Sequence, residues 1–114
     1  MGTPERLSEH VQLEIRGPIA ILTLDRPDKR NALDGGTVRT FGEFFGDPPS
    51  EVAAAVLTSS GKHFSAGLDL SELTTTTVFE GVLHSRGWHE QFDKIQFGKV
   101  PVVSVLRGAV IGGG

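Results

Sequence analysis

The chain has 114 residues, of which 38% are hydrophobic and 22% are charged, a composition typical of one small globular domain. Its net charge of −3 argues against bulk binding of nucleic acid or of an anionic membrane surface. The absence of cysteine excludes a disulfide framework and thiolate chemistry. The N-terminus lacks a signal-peptide pattern, and no run approaches the roughly 20 apolar residues of a membrane span. We therefore expect a cytoplasmic protein.

The first predicted elements are two strands that follow an N-terminal tail, assigned to residues 1–10. Apolar and polar side chains alternate over residues 11–16, which predicts a half-exposed strand. A Gly-Pro turn at residues 17–18 then leads into the continuous apolar run Ile19–Leu24. The pattern therefore predicts a β-hairpin at the start of the fold.

Two further apolar runs, Val52–Leu57 and Val102–Leu106, are typical of strands covered on both faces in a largely parallel sheet. Helical spacing of apolar residues predicts a helix over residues 38–45 and a longer one over residues 78–95. The threonine run at residues 74–77 predicts a mobile surface loop before the second helix. The order strand, strand, helix, strand, helix, strand indicates an α/β fold.

Two glycine-containing turns carry most of the functional signal. The first, Phe64–Asp69, precedes a predicted helix start, because Asp69-Leu70-Ser71-Glu72 fits a capping box. The second, Gly108–Gly114, follows the last predicted strand. A turn that leaves a strand and enters a helix has peptide N–H groups without intrahelical partners, and these groups bind negative charge. Each turn could therefore direct a backbone N–H at one shared oxyanion.

A third segment, Asp25–Leu33, follows the strand Ile19–Leu24 and contains three basic residues. Together with the two glycine turns, it resembles the crotonase superfamily, the enoyl-CoA hydratases and isomerases, from about Val11 to Gly114. The resemblance implies a crotonase-like ββα spiral. Family cores are longer than this chain, so we expect residues 11–114 to be the N-terminal part of an acyl-CoA-binding domain, truncated after Gly114.

The resemblance also implies roles for individual residues. The backbone N–H groups of Leu68 and Gly113 would form an oxyanion hole for the enolate of a thioester. The basic side chains of the third segment can pair with the phosphates of coenzyme A. The Ala66 carbonyl would receive the adenine amino group, whereas Ser71 departs from relatives that carry a cofactor-binding lysine there. The residues expected to bind coenzyme A are Arg26, Lys29, Arg30, Ala66, Leu68, Asp69 and Leu70.

The leading reaction is the hydration of a trans-2-enoyl-CoA, followed by double-bond isomerisation, within fatty acid metabolism. A coenzyme A thioester is then the substrate, with no permanently bound cofactor and no metal. In the hydratases the catalytic acids lie beyond the third glycine, so these 114 residues alone are expected to be inactive. The resemblance further implies a homotrimer or a dimer of trimers. A noncatalytic scaffold or RNA-associated relative that has lost the acids is the alternative of another class.

Three other arrangements favour structural interpretations. His63 and Ser65 lack the turn of a serine hydrolase, and neighbouring strand residues rarely reach each other with catalytic geometry. His89-Glu90-x-x-Asp93 lacks the second histidine of a zinc-binding helix, which leaves a solvated helix face. Trp88 and Phe92 are most simply core residues, with the lining of an acyl pocket as the alternative.

Overall fold

The computed structural model describes residues 4–73 and 77–114, in which five strands form one mixed sheet. The strands are β1 (Glu5–Ser8), β2 (Val11–Arg16), β3 (Ile19–Leu24), β4 (Ala54–Ser59) and β5 (Val102–Ser104). The helices are α1 (Gly35–Gly46) and α2 (Val78–Gln96). Strand order in the sheet follows chain order, with β1, β2 and β3 antiparallel and β3, β4 and β5 parallel. The predicted α/β class is confirmed.

Helix α1 covers one face of the sheet and forms the core with it. Its first turn is capped by Asp34, whose side chain accepts a hydrogen bond from the Thr37 amide. The predicted apolar stripe Val38, Phe41 and Phe45 is fully buried. Residues on β3 and β4 alternate between buried and half-buried. Within this chain, therefore, the central strands have one fully covered face, whereas the sequence predicted two.

Strand β1 lies within the segment assigned as a tail. It is the edge strand of the sheet and pairs with β2 through the backbone, and the Arg6 guanidinium lies 2.9 Å from an Asp25 carboxylate oxygen. Its residues are half-buried or exposed, so it carries little of the apolar alternation that reveals a strand in sequence. Edge pairing of the main chain is sufficient to hold it.

The segment after the first glycine turn differs from the predicted helix start. Leu70–Leu73 forms a single 3-10 turn, and an Asp69 carboxylate oxygen accepts from the Ser71 amide at 3.0 Å. A full capping box instead joins Thr77 and Glu80 at the start of α2. The predicted threonine loop otherwise lies outside the described residues. No helix in the described ranges has both the length and the apolar character to cross a membrane.

Candidate functional site

The two glycine turns lie in direct contact. Gly67 has a φ of +88°, and a Cβ built on it would lie 2.6 Å from the carbonyl oxygen of Ile111 and 3.5 Å from the Cα of Gly112. Gly112 has a φ of +56°, in the left-handed region that favours glycine. Both turns therefore need glycine, Gly67 for its conformation and for the close approach of the second backbone.

Backbone hydrogen bonds fix the second turn beside the first. The Ser65 amide donates to the Ala109 carbonyl, and the Ile111 amide donates to the Ser65 carbonyl, each at 3.1 Å. This parallel bridge continues the sheet beyond the ends of β4 and β5. The Gly114 amide then donates to the Ile111 carbonyl at 2.9 Å and closes a β-turn over residues 112–113.

The amide groups of Leu68 and Gly113 have no protein acceptor within the described residues, and those of Val110 and Gly112 have none either. The Leu68 amide lacks an acceptor because Leu68 forms a second parallel bridge, with Leu33. The Leu33 amide donates to the Gly67 carbonyl at 2.7 Å, and the Asp69 amide donates to the Leu33 carbonyl at 2.8 Å. In a parallel pair the residue between these two bonds directs its own N–H to the opposite side. Leu68 therefore turns its N–H away from Leu33.

Leu68 and Gly113 line the same cavity, an open cleft of about 690 Å³ beside α2. Trp88 and Phe92, both half-buried, form its aromatic wall. A Cβ built on Gly113 would lie 3.4 Å from the Trp88 ring and 3.5 Å from the Phe92 ring. The remaining lining residues are Gly81, His84, Ser85, His89 and Gly112. The cleft is thus aromatic on the helix side and is lined by residues of the two glycine turns on the other side.

Asn31 anchors the basic segment to the first glycine turn, and sequence reasoning assigned it no role. Its side chain is 1% exposed, and its Nδ2 donates to the carbonyls of Ser60 and His63, each at 2.8 Å. Its Oδ1 accepts from the Arg26 amide at 2.7 Å. Asn31 also has a φ of +55°, a conformation that asparagine tolerates better than most residues. An asparagine at the end of a turn is the only sequence signal that could have indicated it.

The three basic residues of this segment have different surroundings. An Arg26 guanidinium nitrogen lies 2.8 Å from an Asp69 carboxylate oxygen and 4.0 Å from one of Asp34. Arg26 is half-buried, whereas Lys29 and Arg30 are exposed. The Arg30 carbonyl accepts from the Ala66 amide at 2.9 Å, which holds the basic turn beside the glycine turn. Arg26 thus joins the two segments, while the other two charges face solvent.

A family model described as enoyl-CoA hydratase/isomerase matches residues 14–114, most of the chain. The chain belongs to this family. The short-chain-enoyl-CoA hydratase of Clostridium acetobutylicum is 33% identical over 108 residues, which are 92% of this chain and 41% of that protein. The predicted family resemblance is confirmed.

Solved structures of this enoyl-CoA hydratase/isomerase family confirm the predicted crotonase-like fold. One assigned as an enoyl-CoA hydratase of Rhodopseudomonas palustris is 43% identical, with a TM-score of 0.88 over 99% of this chain and 43% of that one. One from Thermobifida fusca, in complex with acetoacetyl-CoA, is 25% identical, with a TM-score of 0.73 over 87% of this chain and 43% of that one. The chain therefore spans about two fifths of the length of these relatives.

In the candidate site, the pKa of the Asp69 carboxyl group lies well below its usual value. Hydrogen bonds from the Ser71 hydroxyl, the Arg26 guanidinium and the Ser71 amide lower the pKa of Asp69 to about 2. The carboxylate is therefore ionised at neutral pH and holds Arg26 in place. Leu70, the next residue in the chain, is 72% exposed.

We expect acid to weaken the fold through Asp69. Because its pKa in the folded state lies below the usual value of 3.8, ionised Asp69 stabilises the fold above about pH 4, and that contribution is lost as the pH falls towards 2. Urea unfolding of Asp69→Asn, followed by Trp88 fluorescence, should show lower stability at pH 7 and a shallower decline between pH 4 and 2. The exposed Asp28→Asn is the matched control. An unchanged decline in Asp69→Asn would contradict the assignment.

His63 and Ser65, for which the sequence favoured a structural interpretation, hydrogen-bond to the backbone of the glycine turns and of the basic segment. The His63 Nδ1 accepts from the Ala109 amide at 2.9 Å. The Ser65 hydroxyl donates to the Asn31 carbonyl at 2.8 Å and accepts from the Gly67 amide at 3.1 Å. Both side chains thus hold the glycine turns in place. His89 is exposed on α2, and the described ranges contain no group of three or more potential metal ligands.

Proposed function

We propose that the N–H groups of Leu68 and Gly113 form the oxyanion hole of an acyl-CoA enzyme. The observation that supports this most strongly is that both amides lack a protein acceptor among the described residues and that both residues line one cleft. Chemistry beside a thioester carbonyl accumulates negative charge on the carbonyl oxygen. Two backbone donors stabilise that charge and stay protonated at any physiological pH.

The reaction that we propose is addition of water to a trans-2-enoyl-CoA. The name of the Clostridium acetobutylicum relative supports hydration in particular. We assign the general acid and base to parts of the complete protein other than residues 1–114, as the family resemblance implies. Isomerisation of the double bond uses the same oxyanion hole and is the second candidate.

An assay of the complete native protein that contains residues 1–114 tests this proposal. Crotonyl-CoA hydration is followed as the loss of the enoyl-thioester absorbance, and isomerisation is followed with a 3-enoyl-CoA. Turnover of crotonyl-CoA supports hydration, whereas turnover of the 3-enoyl-CoA alone supports the isomerase. A protein that binds acyl-CoA and turns over neither substrate is the noncatalytic scaffold.

For coenzyme A, we propose that Lys29 and Arg30 contact the phosphates and that the Ala66 carbonyl receives the adenine amino group. The exposure of both basic side chains beside Ala66 supports this arrangement, as does the acetoacetyl-CoA complex of the Thermobifida fusca neighbour. Asp69 and Leu70 would complete the binding segment. Arg26, which pairs with Asp69, would act mainly by positioning it.

We expect Arg30→Ala to weaken coenzyme A binding about tenfold at low salt and less at high salt, because it removes an exposed charge–phosphate pair. Lys29→Ala should act in the same direction. Calorimetric titration at two salt concentrations measures the effect, and Lys99→Ala, which removes one exposed charge elsewhere, is the control. Unchanged dissociation constants for alanine at residues 26, 29 and 30 would refute the phosphate assignment.

We propose further that the complete protein assembles as a homotrimer or a dimer of trimers. Exposed apolar side chains along β5 and the segment after it support an interface on this face, because such a surface is rarely left in water. They are Val103, Val105, Leu106, Val110 and Ile111. Sedimentation of the complete protein tests the assembly.

A further inference from the structure

The half-buried side chain of His63 joins the two glycine turns. Its Nδ1 accepts a hydrogen bond from the Ala109 amide at 2.9 Å. Gly108 packs so closely on this ring that a Cβ built on it would lie 2.6 Å from Nδ1. The His63 carbonyl accepts from Asn31 Nδ2 at 2.8 Å and from the Ser59 hydroxyl at 3.0 Å. The backbone of His63 is therefore fixed, and its ring holds the second turn.

The Ala109 amide is the first donor along the second turn, and two further hydrogen bonds follow it towards Gly113. The Ser65 amide donates to the Ala109 carbonyl, and the Ile111 amide donates to the Ser65 carbonyl, each at 3.1 Å. The β-turn over residues 112–113 begins directly after Ile111. The position of the Gly113 N–H beside Leu68 therefore depends on how residues 109–111 are held.

The bond to Ala109 exists only while the His63 imidazole is neutral. A neutral imidazole can accept at one ring nitrogen, whereas both ring nitrogens of a protonated imidazole are donors. Protonation would place a hydrogen on Nδ1 opposite the Ala109 N–H. Acid would therefore replace an attraction between the two turns with a contact between two donors.

The charges around His63 do not compensate a protonated ring. In the described part of the chain, no carboxylate oxygen lies within 4.0 Å of a His63 ring nitrogen. The Asp25 carboxylate, which accepts from the Ser60 hydroxyl, pairs with Arg6. The charged side chains within two residues of His63 and its hydrogen-bond partners are all basic. They are Lys29, Arg30, Lys62 and Arg107.

We propose that neutral His63 is a positioning residue that holds the Gly113 N–H in the oxyanion hole, and that its protonation releases the second turn. This inference rests on the proposed acyl-CoA function. His63 does not line the cleft, so it acts through Ala109 and touches no reacting atom. Loss of its bond should therefore lower kcat and leave KM nearly unchanged, as expected for an interaction that matters only in the transition state.

The first test measures kcat for crotonyl-CoA in the complete native protein from about pH 8 to pH 5, the interval in which histidines commonly titrate. His63→Asn places Oδ1 as many bonds from Cα as Nδ1 and gives an acceptor that does not titrate. The ratio of its kcat to the wild-type value should rise about tenfold towards pH 5, because only the wild type loses the bond.

Two control variants accompany this measurement. His63→Gln places its oxygen near the position of Nε2, away from Ala109, so kcat should fall about tenfold at pH 8 and KM should change less than about twofold. His10→Asn removes an imidazole that lies 3.3 Å from an Asp34 carboxylate oxygen, and it should keep the wild-type pH profile. Parallel profiles of the wild type and His63→Asn would overturn the inference and leave the oxyanion proposal intact.

The second test asks whether His63 acts through Gly113. In a protein whose Gly113 N–H is replaced by an ester oxygen, His63→Gln should lower kcat less than about twofold further, because groups that act as a unit are not additive. An equal loss with and without the ester would overturn the inference. Each test decides alone if a variant of the other does not fold. A wild-type protein that turns over neither crotonyl-CoA nor a 3-enoyl-CoA refutes the proposed function, and the inference with it.

Discussion

Replacing the peptide N–H of Leu68 with an ester oxygen should lower kcat for crotonyl-CoA by about 10²–10³-fold, the usual effect of removing one oxyanion donor. The change keeps the leucine side chain and removes the hydrogen that lacks an acceptor among the described residues. The α-hydroxy analogue of leucine is incorporated at residue 68 of the complete native protein. The rate of loss of the enoyl-thioester absorbance measures the effect.

The same exchange at Gly113 should have a similar effect, since both donors are proposed to bind one oxygen. With both esters present, the combined loss should be smaller than the product of the single losses, because groups that act together are not additive. A multiplicative loss would indicate that the two N–H groups serve separate steps. The two single variants and the double variant therefore test whether the groups converge.

Val110 provides the matched control for the ester at residue 68. Its amide also has no protein acceptor in the described part of the chain, and it lies outside the cleft lining. An ester at Leu68 weakens the Gly67 carbonyl, which accepts from Leu33, and an ester at Val110 weakens the Ala109 carbonyl in the same way. Equal rate losses at residues 68 and 110 would mean that the loss is structural and would refute the oxyanion assignment.

Gly67→Ala should lower the free energy of unfolding by about 2–5 kcal/mol, the sum of left-handed backbone strain and overpacking. The new Cβ would lie 2.6 Å from the Ile111 carbonyl oxygen, which is backbone and cannot rotate away as a side chain could. Separating the turns would also displace Leu68 from Gly113. Urea unfolding and the crotonyl-CoA assay measure the two consequences.

Alanine substitutions at two other glycines separate the effects of backbone strain and overpacking on the free energy of unfolding. Gly17 has a φ of +57° with nothing within 4 Å of a built Cβ, so Gly17→Ala should show the strain alone, about 1–2 kcal/mol. Gly87 lies inside α2 in open space without a positive φ, so Gly87→Ala should stabilise the protein by about 1 kcal/mol. If Gly67→Ala lowers the free energy of unfolding no more than Gly17→Ala does, the close contact between Gly67 and the Ile111 carbonyl would be contradicted.

Local patterns in the sequence were sufficient for most of the secondary structure and for part of the core. The alternation over residues 11–16, the run Ile19–Leu24 and the stripe Val38, Phe41 and Phe45 all lie where they were predicted, because the periods of strands and helices are local properties. Strand β1 escaped prediction because an exposed edge strand is held by backbone pairing, which side-chain periodicity does not record.

The tertiary structure alone decided how distant segments meet. The contact of Gly67 with the turn at residues 111–112 depends on the parallel bridge between Ser65 and Val110, and no local pattern encodes the register of that bridge. The pairing of Arg26 with Asp69 is likewise invisible in sequence, where Arg26 resembles its basic neighbours. Local periodicity follows from the geometry of one element, whereas these contacts depend on the packing of several elements. The sequence therefore determined which residues could form the candidate site, and the packing decided how they are arranged.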